Sequence, residues 1–166
     1  FAFYDSGIDD TAKIRARLEW YDFLKSINNK PIFDMEMHIL DDSSEITRNN
    51  MHPDFIAANA WMGAIHGVDL TGIWAYSEMD TSILNTAFEK RPYELRKYAK
   101  TALDASRLAD ELAMFKNAER EVGILYSYES RIFSDQYLSN LYSTYTLLTS
   151  NGQKPLFITE RQISKI

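Results

Sequence analysis

Pro31-Ile32-Phe33-Asp34-Met35-Glu36-Met37-His38-Ile39 is a short apolar run broken at every second position by an ionisable side chain. Its length and polar flanks predict a buried strand rather than a helix. Side chains alternate along a strand, which places Asp34, Glu36 and His38 on one face. A carboxylate inside such a run is costly to bury unless it is paired or has work to do. For Glu36 the residues alone leave two readings evenly weighted: a functional carboxylate, or the partner of a neighbouring Arg or His.

Working outward from this strand, Ile14, Leu18, Tyr21, Leu24 and Ile27 recur at helical spacing before it, and Asn28-Asn29 close that helix. Further upstream, residues 1–4 read as a strand, and Asp9 or Asp10 as the helix cap. Downstream, residues 41–50 form a polar loop. Pro53 suits the first position of a helix running to about Ile65. That helix is apolar nearly all round, hence expected to be buried, and Gly67 ends it. Leu70 to Tyr76 is a further strand, followed by an irregular loop over 77–90. Pro92 opens a long helix whose expected buried stripe is Leu95, Tyr98, Ala102, Ala105, Ala109, Leu112 and Phe115. After a polar link come a strand at 122–126, a helix over about 135–149 and a strand at 156–159. Strands alternating with helices indicate an α/β fold with a parallel sheet and right-handed crossovers. The first three units fit either the end of a (β/α)8 barrel or part of an open doubly wound sheet.

The totals narrow the function classes. The chain has 166 residues, 45% hydrophobic and 25% charged, ordinary values for a globular protein. Three Trp, ten Tyr and nine Phe suit a packed core and equally a sugar-binding surface. The net charge of −6, with no basic cluster, argues against nucleic-acid binding. Cysteine is absent, which excludes a disulfide framework and thiolate metal sites. There is neither a signal peptide nor an 18-residue apolar run, so no membrane span is expected. The chain starts at Phe1 with a strand already under way, and the native N-terminus is expected upstream.

In either α/β architecture, sites collect at the carboxyl ends of strands. The candidates there are Tyr4 and Asp5, then Glu36 and His38, then Trp74 and Glu78, with His52 at the start of a helix that begins on that side. Trp74 is a plain core residue or a flat apolar platform for a sugar ring; taken alone, the core reading is favoured. Tyr4 and Asp5 double as a strand end and a cap, and Glu78 as a solvated loop residue. His52 and His66 bracket one helix and are roughly 20 Å apart, too far to share a metal, and His66 is expected to be structural. No third ligand has suitable spacing to join Glu36 and His38, so no metal and no cofactor are expected.

Several segments then match a known pattern. Pro-Ile-Phe-Asp-Met-Glu-Met-His (31–38) resembles the seventh-strand segment of (β/α)8 glycoside hydrolases of clan A, and Gly-Ile-Trp-Ala-Tyr-Ser-Glu (72–78) their eighth strand. Glu-Val-Gly-Ile-Leu-Tyr-Ser-Tyr-Glu-Ser (121–130) resembles the opening of the flavodoxin-like domain that follows the barrel in family 42 β-galactosidases. Order and spacing together carry more weight than any one segment. The resemblance implies the last three βα units of a (β/α)8 barrel over 1–117 and the beginning of a flavodoxin-like α/β domain over 121–166.

It further implies a retaining hydrolase of carbohydrate substrates. Glu36 matches the nucleophile, Trp74 the aromatic beneath the reacting sugar, and Tyr4 a tyrosine that hydrogen-bonds the nucleophile. The family's acid/base is a Glu preceded by Asn on the fourth strand, and no segment here corresponds to it, so the chain alone is expected to be inactive. One departure is Met37, where family 42 usually has Gln, which puts galactose specificity in question. A barrel short of five strands exposes apolar surface, so a homo-oligomer or association with the missing N-terminal half is expected. Two other readings stand beside this one: a non-catalytic carbohydrate-binding or interaction module, and a metal-dependent α/β hydrolase using Glu36, His38 and His52.

Overall fold

The computed structural model describes residues 11–28, 30–38, 53–74 and 91–163. The order is α1 (Thr11–Ile27), β1 (Ile32–His38), α2 (Pro53–Ile65), β2 (Val68–Trp74), α3 (Pro92–Arg107), α4 (Ala109–Lys116), β3 (Gly123–Tyr126), α5 (Tyr128–Phe133), α6 (Tyr137–Ser150), β4 (Leu156–Thr159) and α7 (Glu160–Ile163). Among the described residues the strands form two parallel pairs, β1 with β2 and β3 with β4. α2 lies between β1 and β2, and α5 and α6 between β3 and β4, which is the parallel α/β arrangement the alternation predicts. The expected strand at residues 1–4 lies outside the described residues, as do Tyr4, Asp5, His52, Tyr76 and Glu78.

Punctuation sets the element ends. Pro53 opens α2, where a missing N–H costs nothing. After α2, His66 N–H reaches Met62 O at 3.0 Å and Gly67 N–H reaches Ala64 O at 3.1 Å. Gly67 has φ +90°, a left-handed conformation that suits glycine. Ile56, Ala57, Asn59 and Gly63 of α2 are buried, whereas Ala58 and Ile65 are exposed. The helix therefore has a solvent side despite its apolar composition.

The helix that follows differs from its sequence reading. It breaks at Leu108 (φ −101°, ψ 25°), giving α3 and α4 in place of one rod. The break resets the helical phase, so Ala109 and Phe115 are exposed rather than part of one stripe. Within α3 the buried position is Thr101, not Ala102. Thr101 satisfies its hydroxyl locally by donating to Lys97 O at 2.9 Å. The short helix α5 is also absent from the sequence reading. Ser127 caps it, its hydroxyl accepting from Ser130 N–H at 3.2 Å.

Helix α1 packs on both sheets. On one side Tyr21 donates to the buried Asp34 of β1, and Arg17 Nη1 donates to Asn59 Oδ1 of α2 at 3.2 Å. On another side Phe23 enters a core with Ile124, Leu141, Tyr145 and Phe157, and Trp20 packs against the same cluster. Phe23 meets Phe157 edge-on at 5.5 Å and stacks with Trp20 at 5.1 Å, both favourable aromatic geometries.

Candidate active site

The site is built from the carboxyl ends of β1 and β2. Their ladder pairs Ile32 with Val68, Phe33 with Leu70, Asp34 with Thr71, Met37 with Ile73 and His38 with Trp74. His38 and Trp74, selected separately from the sequence, are thus direct neighbours across two parallel strands, with Glu36 two residues before His38. The backbone of Glu36, His38 and Trp74 is strand, and their side chains lie outside the description.

The register is irregular in two places, and both matter. Between Asp34 and Met37 β1 advances three residues while β2 advances two, so Met35 and Glu36 together oppose Gly72. This is a β-bulge, which bends a strand and re-aims its side chains. Asp34 and Met37 are both buried, while Phe33 and Met35 are 56% and 61% exposed. Strict alternation therefore fails across the bulge, since Asp34 and Met37, three residues apart, are both on the buried side. Asp34 points at α1, where it accepts the Tyr21 hydroxyl. Burial, and then the charge of Asp34, pushes the Tyr21 phenol far above its usual range, so it stays a donor.

The second irregularity lies at the other end of the pair, where Asp69 is the extra residue of β2. Its carboxylate accepts Ile32 N–H at 2.9 Å and the Lys116 ammonium. Burial pushes its pKa upward, but the hydrogen bonds from Lys116 and the Ile32 backbone outweigh this and hold it below the usual range. This polar clip ties the start of the strand pair to the end of α4.

Sequence reasoning missed a buried ionic hub. Asp22 of α1 is fully buried. Its Oδ2 accepts from Tyr145 Oη at 2.7 Å and contacts His66 Nδ1 at 3.0 Å, and its Oδ1 accepts from Arg120 Nη2 at 3.3 Å. His66 is therefore engaged in a structural contact. Arg120 Nη1 also reaches Ser26 Oγ and Pro155 O, each at 3.3 Å. The available signal was Asp22 sitting between Tyr21 and Phe23 in a helix that has to bury its apolar side chains.

A separate cleft of about 490 Å³ lies between α1, the end of β3 and α6, lined by Glu19, Trp20, Tyr126, Arg131 and Tyr142 among others. Burial pushes the Glu19 carboxyl up to about 7. None of the residues singled out from the sequence lines this cleft. Among the described residues no three His, Cys, Asp or Glu side chains are grouped to hold a metal, and no helix is long and apolar enough to cross a membrane.

No family model matches the chain, and neither does any curated protein. Among solved structures, the chain is similar to an apo exo-carrageenase GH42 from Bacteroides ovatus, with a TM-score of 0.74 and 23% identity over 84% of this chain. The chain spans 20% of that enzyme's length. At this identity the likeness is one of fold: the chain has the α/β fold of part of a GH42-like glycoside hydrolase.

Proposed function

We propose that this chain is the C-terminal part of the (β/α)8 barrel of a retaining glycoside hydrolase, with Glu36 as nucleophile, followed by the start of a flavodoxin-like unit. The boundaries proposed are 1–117 for the barrel part and 121–166 for the second. The observation that carries the reading is the β1–β2 pair. Glu36 lies in a bulge near the carboxyl end of one strand, opposite Gly72, and two residues on His38 pairs with Trp74 of the other. That end of a barrel strand is where catalytic groups sit. The fold likeness to the exo-carrageenase supports the same reading.

Retention needs two carboxyl groups about 5 Å apart. Glu36, ionised, attacks the anomeric carbon; the leaving oxygen takes a proton from the second carboxyl, which then activates water to release the sugar. Trp74 offers an apolar face to the sugar, and His38, Tyr4, Asp5, His52 and Glu78 are the proposed substrate contacts. The acid/base belongs to barrel strands outside this chain, so the chain alone is inactive. Phe33, Met35 and Leu70 form an exposed apolar surface on the strand pair, which supports coverage by the rest of a barrel or by a second copy.

The test is incubation of the intact protein with a 2-deoxy-2-fluoro glycosyl fluoride, followed by peptide mass analysis. Label on Glu36, lost in Glu36→Gln, is the expected result. Turnover of substrate with no covalent adduct at Glu36 would remove it as nucleophile. The aromatic cleft beside Glu19 favours a second reading, a carbohydrate-binding module, in which sugar affinity is unchanged by Glu36→Gln and lost on Tyr142→Ala.

A further inference from the structure

The bulge in β1 has a counterpart in β2. A Cβ built on Gly72 would lie 2.7 Å from the Met35 carbonyl oxygen and 3.1 Å from both Met35 C and Met35 Cα. All three contacts are backbone, which no rotamer change relieves. The first is about 0.7 Å short of ordinary van der Waals contact. Among the other described glycines with ordinary φ the nearest contacts are with side-chain ends, which can give: Gly63 would meet Met37 at 3.4 Å and Gly123 would meet Ile158 at 3.1 Å. Gly72 is also the single residue of β2 set against the two bulged residues Met35 and Glu36. The absence of a side chain on one strand and the extra residue on the other are two halves of one arrangement.

Resting on the reading of Glu36 as nucleophile, we infer that Gly72 is a positioning residue for it: the missing side chain lets the Met35–Glu36 bulge settle against β2 and so sets where the Glu36 backbone stands. Any side chain at position 72 pushes the Met35 peptide outward, and Glu36, the next residue, moves with it. Displacement of a reacting group by a fraction of an ångström to 1 Å costs up to about a hundredfold in rate, because attack requires a narrow range of distance and angle. Binding of the sugar, which draws on contacts from several strands, changes far less.

The experiment uses the intact protein and three forms: wild type, Gly72→Ala, and Gly63→Ala as a control for a methyl added beside the same strand without touching the Met35 backbone. For each, the rate constant of covalent labelling by a 2-deoxy-2-fluoro glycosyl fluoride is separated from the reagent's binding constant, and the melting temperature is recorded. The expected result is a labelling rate constant about tenfold to a hundredfold lower in folded Gly72→Ala, with binding within about threefold of wild type and Gly63→Ala near wild type. A purely structural role would lower the melting temperature and leave the rate constant of the folded protein unchanged; that result, or wild-type labelling by Gly72→Ala, overturns the inference while leaving Glu36 as nucleophile. A wild-type protein that turns over substrate without labelling Glu36 overturns the underlying reading instead. Where Gly72→Ala does not fold, a crystal structure of the wild-type adduct decides: a Met35 carbonyl packed on Gly72 with the sugar on Glu36 supports the inference, and a regular, unbulged β1 overturns it.

Discussion

Replacing Arg120 by Met tests the buried hub most directly. Asp22 is fully buried, and its carboxylate is held by Arg120, Tyr145 and His66. Met fills much of the volume of the arginine stem and removes the charge. The guanidinium contact at 3.3 Å is lost, and so are the bonds from Arg120 to Ser26 and Pro155. Removing one member of a buried ion pair costs about 3–5 kcal/mol, most of it from the charge left behind. The hydroxyl of Tyr145 and the ring of His66 still face Asp22, which puts the expected loss near the lower end, about 3 kcal/mol. Asp22→Asn in the same background removes the stranded charge, so the double variant is expected to recover part of the loss. The coupling energy should be about 1–3 kcal/mol. Urea unfolding of wild type, both single variants and the double variant at pH 7 measures it. Additivity within about 0.3 kcal/mol would show that Arg120 and Asp22 do not depend on each other, and the account of the hub would fail.

Two further outcomes are expected. Because burial raises the Glu19 pKa from 4.5 to about 7, the folded protein holds that proton more tightly than the unfolded chain. Its relative stabilisation is complete below pH 4.5 and lost as pH rises through 7, so Glu19→Gln should be neutral at pH 4 and stabilising at pH 8. After allowance for solvent screening of a half-buried carboxyl the gain is about 1–2 kcal/mol; equal urea midpoint shifts at both pH values would contradict it. Phe157→Ala should cost about 3–5 kcal/mol in the same assay, because Phe157 is almost fully buried between Phe23 and Tyr145. A loss under about 1 kcal/mol would mean that α1 and the β3–β4 pair do not share a core.

Local signals made much of the fold legible. Pro53, Gly67 and Pro92 mark element ends that the structure keeps, and the apolar run at 31–39 contains β1. The break at Leu108 was not legible, since no proline or glycine marks it and helical periodicity runs through it. The bulge was hidden for a different reason. Nothing within β1 announces it, and the residue that makes room for it, Gly72, belongs to another strand. Of the candidate site, the sequence singled out Glu36, His38 and Trp74, and the ladder puts the latter two side by side. The burial of both Asp34 and Met37 was not legible, because simple alternation puts two residues three apart on opposite faces. The Asp22 hub joins α1, the turn after α2, the link before β3 and α6, a pattern that exists only once the chain is folded.

The position of α1 has a consequence for the timing of synthesis. Its Asp22 waits for Tyr145, which lies 123 residues later in the chain. At about 5–20 residues per second a ribosome needs roughly 6–25 s to supply that partner. Arg120 arrives earlier, 98 residues after Asp22, but Trp20 and Phe23 have no β3–β4 core to enter until β4 (Leu156–Thr159) has also been made. Pausing, slow translation or premature termination before β4 is complete would leave these aromatic rings open to association with other nascent chains.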